Sequence, residues 1–167
     1  MTGRPSIPAH STGRLTLRRA RPEESELAYR VKRDALTAHP AAGEAWDEAK
    51  EWQAHLRRFA GQEYYLLEEA GAVVGVMALV IESGQVRFNQ FFVLRSHQGR
   101  GLGTVALHVL ADEADRRGLP TRLDVKAGNH RAIALYGRFG YREVARSDAS
   151  IAMVRLCNAL VPEQVDE

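Results

Sequence analysis

The sequence predicts an α+β domain with elements in the order β-α-α-β-β-β-α-β-α-β-β. Three observations carry this. Ala45, Ala49, Trp52, Leu56 and Phe59 follow one another at steps of 4, 3, 4 and 3, the period of one face of a helix. Residues 72–82, AVVGVMALVIE, are almost continuously apolar, as expected of a strand covered on both faces. The stretch QGRGLGT at 98–104 joins an apolar strand-like run to a segment of helical period.

Taken in order, residues 1–13 are rich in Pro, Gly and Ser and are expected to form a flexible tail. RLTLR, from Arg14, alternates Leu15 and Leu17 inward as a short strand. Pro22, Glu23 and Glu24 suit the first turn of a helix, where proline loses nothing and acids meet the positive end of the dipole. Leu27, Val31 and Ala35 give that helix its stripe, and AHPAAG at 38–43 breaks it. The second helix follows and ends at Gly61. Three strands come next: EYYLLEE at 63–69, the apolar run at 72–82, and VRFNQFFVL at 86–94 after an SGQ turn. Residues 104–117 read as a helix with Ala106, Leu107, Leu110 and Ala114 on one side. Gly118 caps it and Pro120 prevents its continuation. TRLDVKA is a strand, NHRAIALYGRF a short helix, and YREVAR and IAMVRLC two final strands. One domain over 14–157, with a C-terminal tail at 158–167, suits a chain of 167 residues.

Composition narrows the function classes. The 23 basic and 21 acidic residues nearly cancel, so nothing favours a nucleic-acid partner. The pairs Arg18-Arg19, Arg57-Arg58 and Arg116-Arg117 are read as solvated faces. A single cysteine, Cys157, allows neither an internal disulfide nor a Cys-based zinc site, and the six histidines form no HExxH pattern, so no metal is expected. The apolar run at 72–81 is too short for a membrane span, which needs about 20 residues. No secretory h-region opens the chain, and a soluble, cytoplasmic protein is the expectation.

The glycine loop is the chemical signal. Alternate glycines let the main chain turn tightly and approach a ligand without Cβ atoms in the way. Loop amides and the first free amides of the following helix can then converge on phosphate or pyrophosphate. Arg100 could add charge and Thr104 a hydroxyl; a merely glycine-rich turn is the bland alternative. A P-loop would need G-x-x-x-x-G-K-S/T, and no lysine precedes Thr104. A dinucleotide fingerprint would need G-x-G-x-x-G, and the third glycine comes one residue early, although Asp124 stands near the expected acid.

The match widens beyond the loop. FFVLRSHQGRGLGTVAL resembles the acyl-CoA-binding motif of the GNAT N-acetyltransferase superfamily, R/Q-x-x-G-x-G/A, read here at Gln98, Gly101 and Gly103. NHRAIALYGRFGYRE resembles its second signature, through Asn129, Ala132, Leu135, Tyr136 and Phe139-Gly140-Tyr141. The element order from about Arg14 to Cys157 is similar as well. The resemblance implies a central mixed, mostly antiparallel sheet flanked by helices. It also implies transfer of an acetyl group from acetyl-CoA to a small-molecule or peptide amine by direct attack in a ternary complex, with no metal. A homodimer would be in keeping with it. A CoA-binding sensor or interaction module of the same fold is the alternative.

Carried over residue by residue, the resemblance implies that the amides of Gln98, Gly99, Arg100, Gly101, Leu102, Gly103 and Thr104 hold the CoA pyrophosphate. Phe91, Phe92 and Val93 would offer free strand groups to the pantetheine arm, in the manner of strand addition. Asn129 and Ala132 would meet the same arm, although Asn129 also suits a helix N-cap. Tyr136 would be the general acid that protonates the leaving thiolate, or else a packed core tyrosine beside Leu135 and Phe139. The strand before the loop has no acid, only Asn89 and Gln90. The candidate general base is therefore Glu82, with His39, Glu44, Asp124 or a water relay as alternatives, each otherwise an ordinary surface group. Trp46, Trp52, Tyr64 and Tyr65 could line the acceptor pocket, although core roles suit most of them. His97 and His108 are read as loop and helix-surface residues. Cys157 is read as a small buried hydrophobe.

Overall fold

The computed structural model describes residues 10–13, 15–37, 45–82 and 84–158. Eight strands are described: β1 (His10–Thr12), β2 (Leu15–Arg19), β3 (Glu63–Glu69), β4 (Ala72–Glu82), β5 (Gln85–Val93), β6 (Thr121–Lys126), β7 (Arg142–Arg146) and β8 (Ser150–Arg155). The helices are α1 (Ser25–Thr37), α2 (Glu48–Gly61), α3 (Leu102–Arg117) and α4 (His130–Arg138). The strands are neighbours in the order β1-β2-β3-β4-β5-β6-β8-β7. Of the pairs whose register is described, β5–β6 alone is parallel. This is the mixed, mostly antiparallel sheet with four helices that the sequence predicts.

The chain forms two compact units. The first comprises Met1–Leu79 and Gln90–Ala106. Its core joins Ala28 and Val31 of α1 to Tyr64 and Leu66 of β3 and Val76 and Ala78 of β4, with Phe59, Phe92 and Leu94 packed against them. Tyr65, Leu67, Met77 and Leu79, which alternate with those strand residues, are buried too. Burial on both faces is why the 72–82 run lacks polar alternation. Arg18 is not a solvated charge: it forks onto Glu24 at 2.8 and 2.9 Å and reaches Glu68 at 2.7 Å. That network holds the Glu24 carboxyl down at a pKa of about 2 and raises that of Arg18.

Two expectations change here. His10–Thr12, placed by the sequence in a tail, pairs antiparallel with β2. HST carries no apolar alternation, and main-chain bonding defines this edge strand. In α2, the buried side chain is His55, while Trp52, Leu56 and Phe59 are half-buried and Ala49 is exposed. The helix begins after Asp47, which caps Lys50 N at 3.0 Å, so Ala45 lies outside it. The apolar spacing marked the right helix but missed the histidine at its centre. The 38–43 break, His39 and Glu44 lie outside the described residues.

The second unit comprises Val80–Asn89 and Leu107–Glu167. Leu107, Leu110 and Ala114 of α3, Leu123 and Val125 of β6, Ile151 and Met153 of β8, and Tyr141 are buried there. Arg155 grips Asp115 through two bonds of 2.9 and 2.7 Å and also donates to the Phe139 carbonyl at 3.1 Å. Asn158, expected to begin a tail, donates twice to Asp115. Arg116 and Arg117, read as solvated, both pair with the buried Glu113. Gly118 closes α3 at φ +64° with a bond back to Asp115 O, as expected of a C-terminal glycine.

Candidate functional site

In the first unit the glycine loop follows β5 through a tight turn at Arg95–His97. Arg95 N donates to Asp34 of α1 at 2.7 Å, which anchors that turn. The Gln98 side-chain amide donates to Val93 O at 2.9 Å, bracing the loop against the end of β5. The Val93 carbonyl, expected to be free for a ligand, is thus already bonded. Gly99 and Gly101 both take left-handed φ, +72° and +79°, and a Cβ at either would meet nothing within 4 Å. These glycines serve backbone conformation and leave the space above them open. α3 begins at Leu102, two residues earlier than the sequence indicates, and buried Leu102 seats its start. Gly103 and Thr104 are therefore in its first turn. The first helical bond runs from Val105 N to Gly101 O at 3.2 Å, so helix geometry leaves the amides of 102–104 without intrahelical acceptors. Arg100 is held by Glu69 of β3 at 3.1 Å.

On β5, Phe91 and Phe92 are half-buried and Val93 is buried. Gly75 of β4, which the sequence reading left unassigned, comes so close that a Cβ there would lie 3.1 Å from Phe92 O. Gln90 accepts from the Tyr64 hydroxyl at 3.0 Å, and burial pushes that phenol up to about 12. Tyr64 and Tyr65 are core residues, 4% and 0% exposed.

Sequence reasoning also missed an aromatic cluster in which Tyr29, Trp52, Phe59 and Tyr64 surround His55, with ring centroids 5.3–5.6 Å from the imidazole. His55 Nε2 lies 2.8 Å from Ser25 O, and its buried Nδ1 has no hydrogen-bond partner among the described residues. Burial pushes this imidazole's pKa down. Beside it, buried Lys32 pairs with Glu51 at 2.8 Å. A cleft of about 580 Å³ lies between α1 and α2, walled by Tyr29, Trp52, Glu26, Glu48, Arg30 and Arg33. Of the residues proposed for an acceptor pocket, it takes in Trp52. Trp46 instead donates to Glu48 at 2.7 Å.

The second unit carries the remaining predicted residues. Asn129 caps α4, its Oδ1 accepting from Ala132 N at 3.1 Å. Tyr136 is half-buried, its ring edge-on to Tyr141 at 5.7 Å, and burial raises its pKa. Glu82 is exposed at the turn before β5 and accepts from Gln85 at 2.7 Å. β5 thus separates it in the chain from the glycine loop that follows the strand. Asp124 pairs with Arg87 at 3.3 Å. Cys157 is fully buried just past β8.

The chain matches the family model described as the acetyltransferase (GNAT) family over residues 28–141. Among solved structures, it is similar to an acetyltransferase from Thermus thermophilus, with TM-score 0.71 and 23% identity over 85% of this chain and 96% of that one. It is similar to the ribosomal-protein-S18-alanine N-acetyltransferase from Escherichia coli, with TM-score 0.69 and 21% identity over 92% and 99%. It is also similar to the PaiA N-acetyltransferase from Thermoplasma acidophilum in complex with coenzyme A, with TM-score 0.68 and 13% identity over 85% and 98%. No curated protein matches the sequence significantly.

Proposed function

The chain belongs to the GNAT acetyltransferase family, and from that premise we propose that it is an acetyl-CoA-dependent N-acetyltransferase acting on a primary amine by direct attack in a ternary complex. The observation that carries this reading is the glycine loop. Two left-handed glycines with open space above them lead into the first-turn amides of a 16-residue helix, which have no intrahelical acceptor, an arrangement suited to a pyrophosphate. The bound acetyl-CoA would supply the thioester that donates the acetyl group.

Each side chain then has a limited task. The amides of Gly99, Arg100, Gly101, Leu102, Gly103 and Thr104 bind the diphosphate. Gln98 fixes the loop to β5 through Val93 O, and main-chain groups of Phe91–Val93 other than that carbonyl orient the arm. Tyr136 donates a proton to the departing sulfur. Its raised pKa keeps the phenol protonated at neutral pH, as a general acid requires. Asn129 spends its Oδ1 on capping α4, which leaves its Nδ2 for a ligand. β5 offers Asn89 and Gln90 rather than a carboxylate, and Glu82 is the acid nominated as base. The acceptor is a small-molecule or peptide amine, and the setting is cytoplasmic.

Calorimetry with acetyl-CoA, with NAD and ATP as controls, tests the donor. Micromolar affinity for acetyl-CoA alone, about −8 kcal/mol, is the expected result. Preference for NAD or ATP would overturn it. The acid-free β5 favours one second reading, a CoA-binding module without turnover, and an amine panel separates the two.

A further inference from the structure

We propose that Glu69 is a specificity-determining residue of the glycine loop: it holds the Arg100 guanidinium as an internal counter-anion, so that a multiply charged phosphate can claim it and a singly charged anion cannot. The inference rests on reading the loop as a pyrophosphate site.

The geometry is a fork. Arg100 Nη1 lies 3.1 Å from Glu69 Oε2 and Nη2 lies 3.3 Å from Oε1. The imidazole of His97, also beside the loop, comes within 3.7 Å of the same carboxylate. Neighbouring charges are otherwise engaged: Glu68 pairs with Arg18, and Asp34 with Arg95. Glu69 is thus the carboxylate that the described structure gives to the loop's own arginine. It is well placed to stay there, since it ends β3 in register with both Leu15 and Ala72.

The Arg100 side chain is about half exposed, at 49%, while that of Glu69 is 22% exposed. An ion pair so open to solvent is weak enough to exchange. A diphosphate seated on the loop amides presents more charge than one carboxylate and recruits Arg100. Acetate or chloride presents no more and leaves the fork closed. Glu69 therefore sets a charge threshold for whatever the loop accepts.

A double-mutant cycle on the full chain tests this. Coenzyme A and inorganic pyrophosphate are titrated calorimetrically into the wild type, Glu69→Gln, Arg100→Gln and the double variant, with and without acetate as competitor. Glu69→Gln should tighten both ligands about two- to fivefold, the range of an exposed ion pair, and should make binding more sensitive to acetate. In the Arg100→Gln background the same change should have almost no effect. Unchanged or weaker binding in Glu69→Gln, or an equal gain without Arg100, overturns the proposal. If Glu69→Gln melts early, Arg100→Gln probes the pair from its exposed side: it should weaken coenzyme A and pyrophosphate and leave the residual binding insensitive to acetate, and unchanged affinity overturns the proposal. Glu69-dependent binding of pyrophosphate without binding of coenzyme A would sink the coenzyme reading and leave this inference standing. Coenzyme A binding that ignores both residues would sink the inference alone, and a wild type that binds neither ligand overturns both.

Discussion

Gly75 on β4 lies directly against the main chain of Phe92 on β5: a Cβ at position 75 would sit 3.1 Å from the Phe92 carbonyl oxygen and 3.3 Å from Leu67 Cβ. Backbone is the hardest neighbour to displace, so Gly75→Ala must shift β5 by a few tenths of an ångström or strain β4. The expected cost is about 1–3 kcal/mol, the range for overpacking. Phe92 lies in the stretch proposed to orient the pantetheine arm, so coenzyme A affinity should fall as well. Thermal unfolding and calorimetry read the two effects. Wild-type stability would mean that the strands part without cost.

Gly101 presents the opposite case. A side chain there meets no protein atom within 4 Å, but φ is +79°. The penalty for Gly101→Val is therefore conformational, about 1–2 kcal/mol for holding an L-residue in the left-handed region. The added methyls would also fill the open space proposed for the diphosphate. We expect coenzyme A to bind about tenfold more weakly or worse, beyond what the stability loss explains. Equal affinity would remove Gly101 from the phosphate cradle.

How much of this was legible depended on the kind of signal. Repeating apolar spacing exposed α1, α2 and α3, because burial on one face imposes a period on the sequence, and an unbroken apolar run exposed β4. The glycine loop was legible because left-handed φ selects glycine. Gly75 was not, since a close approach between strands leaves no periodic mark in an apolar run. His55 was hidden for a related reason: a buried histidine in an aromatic cluster looks polar to a pattern of apolar residues. Glu69 and Arg100 stand 31 positions apart, and only the β3 register and the loop turn bring them together. Local patterns also misplaced the start of α3, because Gly103 reads as loop although it lies in the first helical turn.

Tyr136 should separate catalysis from binding. It is half-buried beside Tyr141, and burial raises its pKa above the ordinary value near 10. If it protonates the leaving thiolate, Tyr136→Phe should lower kcat by about 100-fold or more, the contribution typical of general acids. The affinity for coenzyme A should change little, because the ring remains. Single-turnover rates alongside calorimetry make the comparison. Unchanged kcat would assign the proton to another donor.

His55 should make stability depend on pH well above the carboxylate range. Burial among Tyr29, Trp52, Phe59 and Tyr64 depresses its pKa from the ordinary 6.5. Below pH 6.5 the unfolded chain takes up a proton that the folded chain resists, so the unfolded state binds more protons and stability falls with acidification. The loss continues until the folded pKa is passed and then levels off. A second decline, from Glu24, whose pKa drops from 4.5 to about 2, begins only near pH 4.5. It runs the same way, since that carboxylate's stabilisation is complete above its unfolded pKa. Melting curves between pH 7.5 and 5 should therefore show Tm falling in the wild type. His55→Phe keeps an aromatic ring, forfeits the contact of Nε2 with Ser25 O, and should melt lower at neutral pH but with a flatter profile. A slope that survives this substitution would place the titrating group elsewhere.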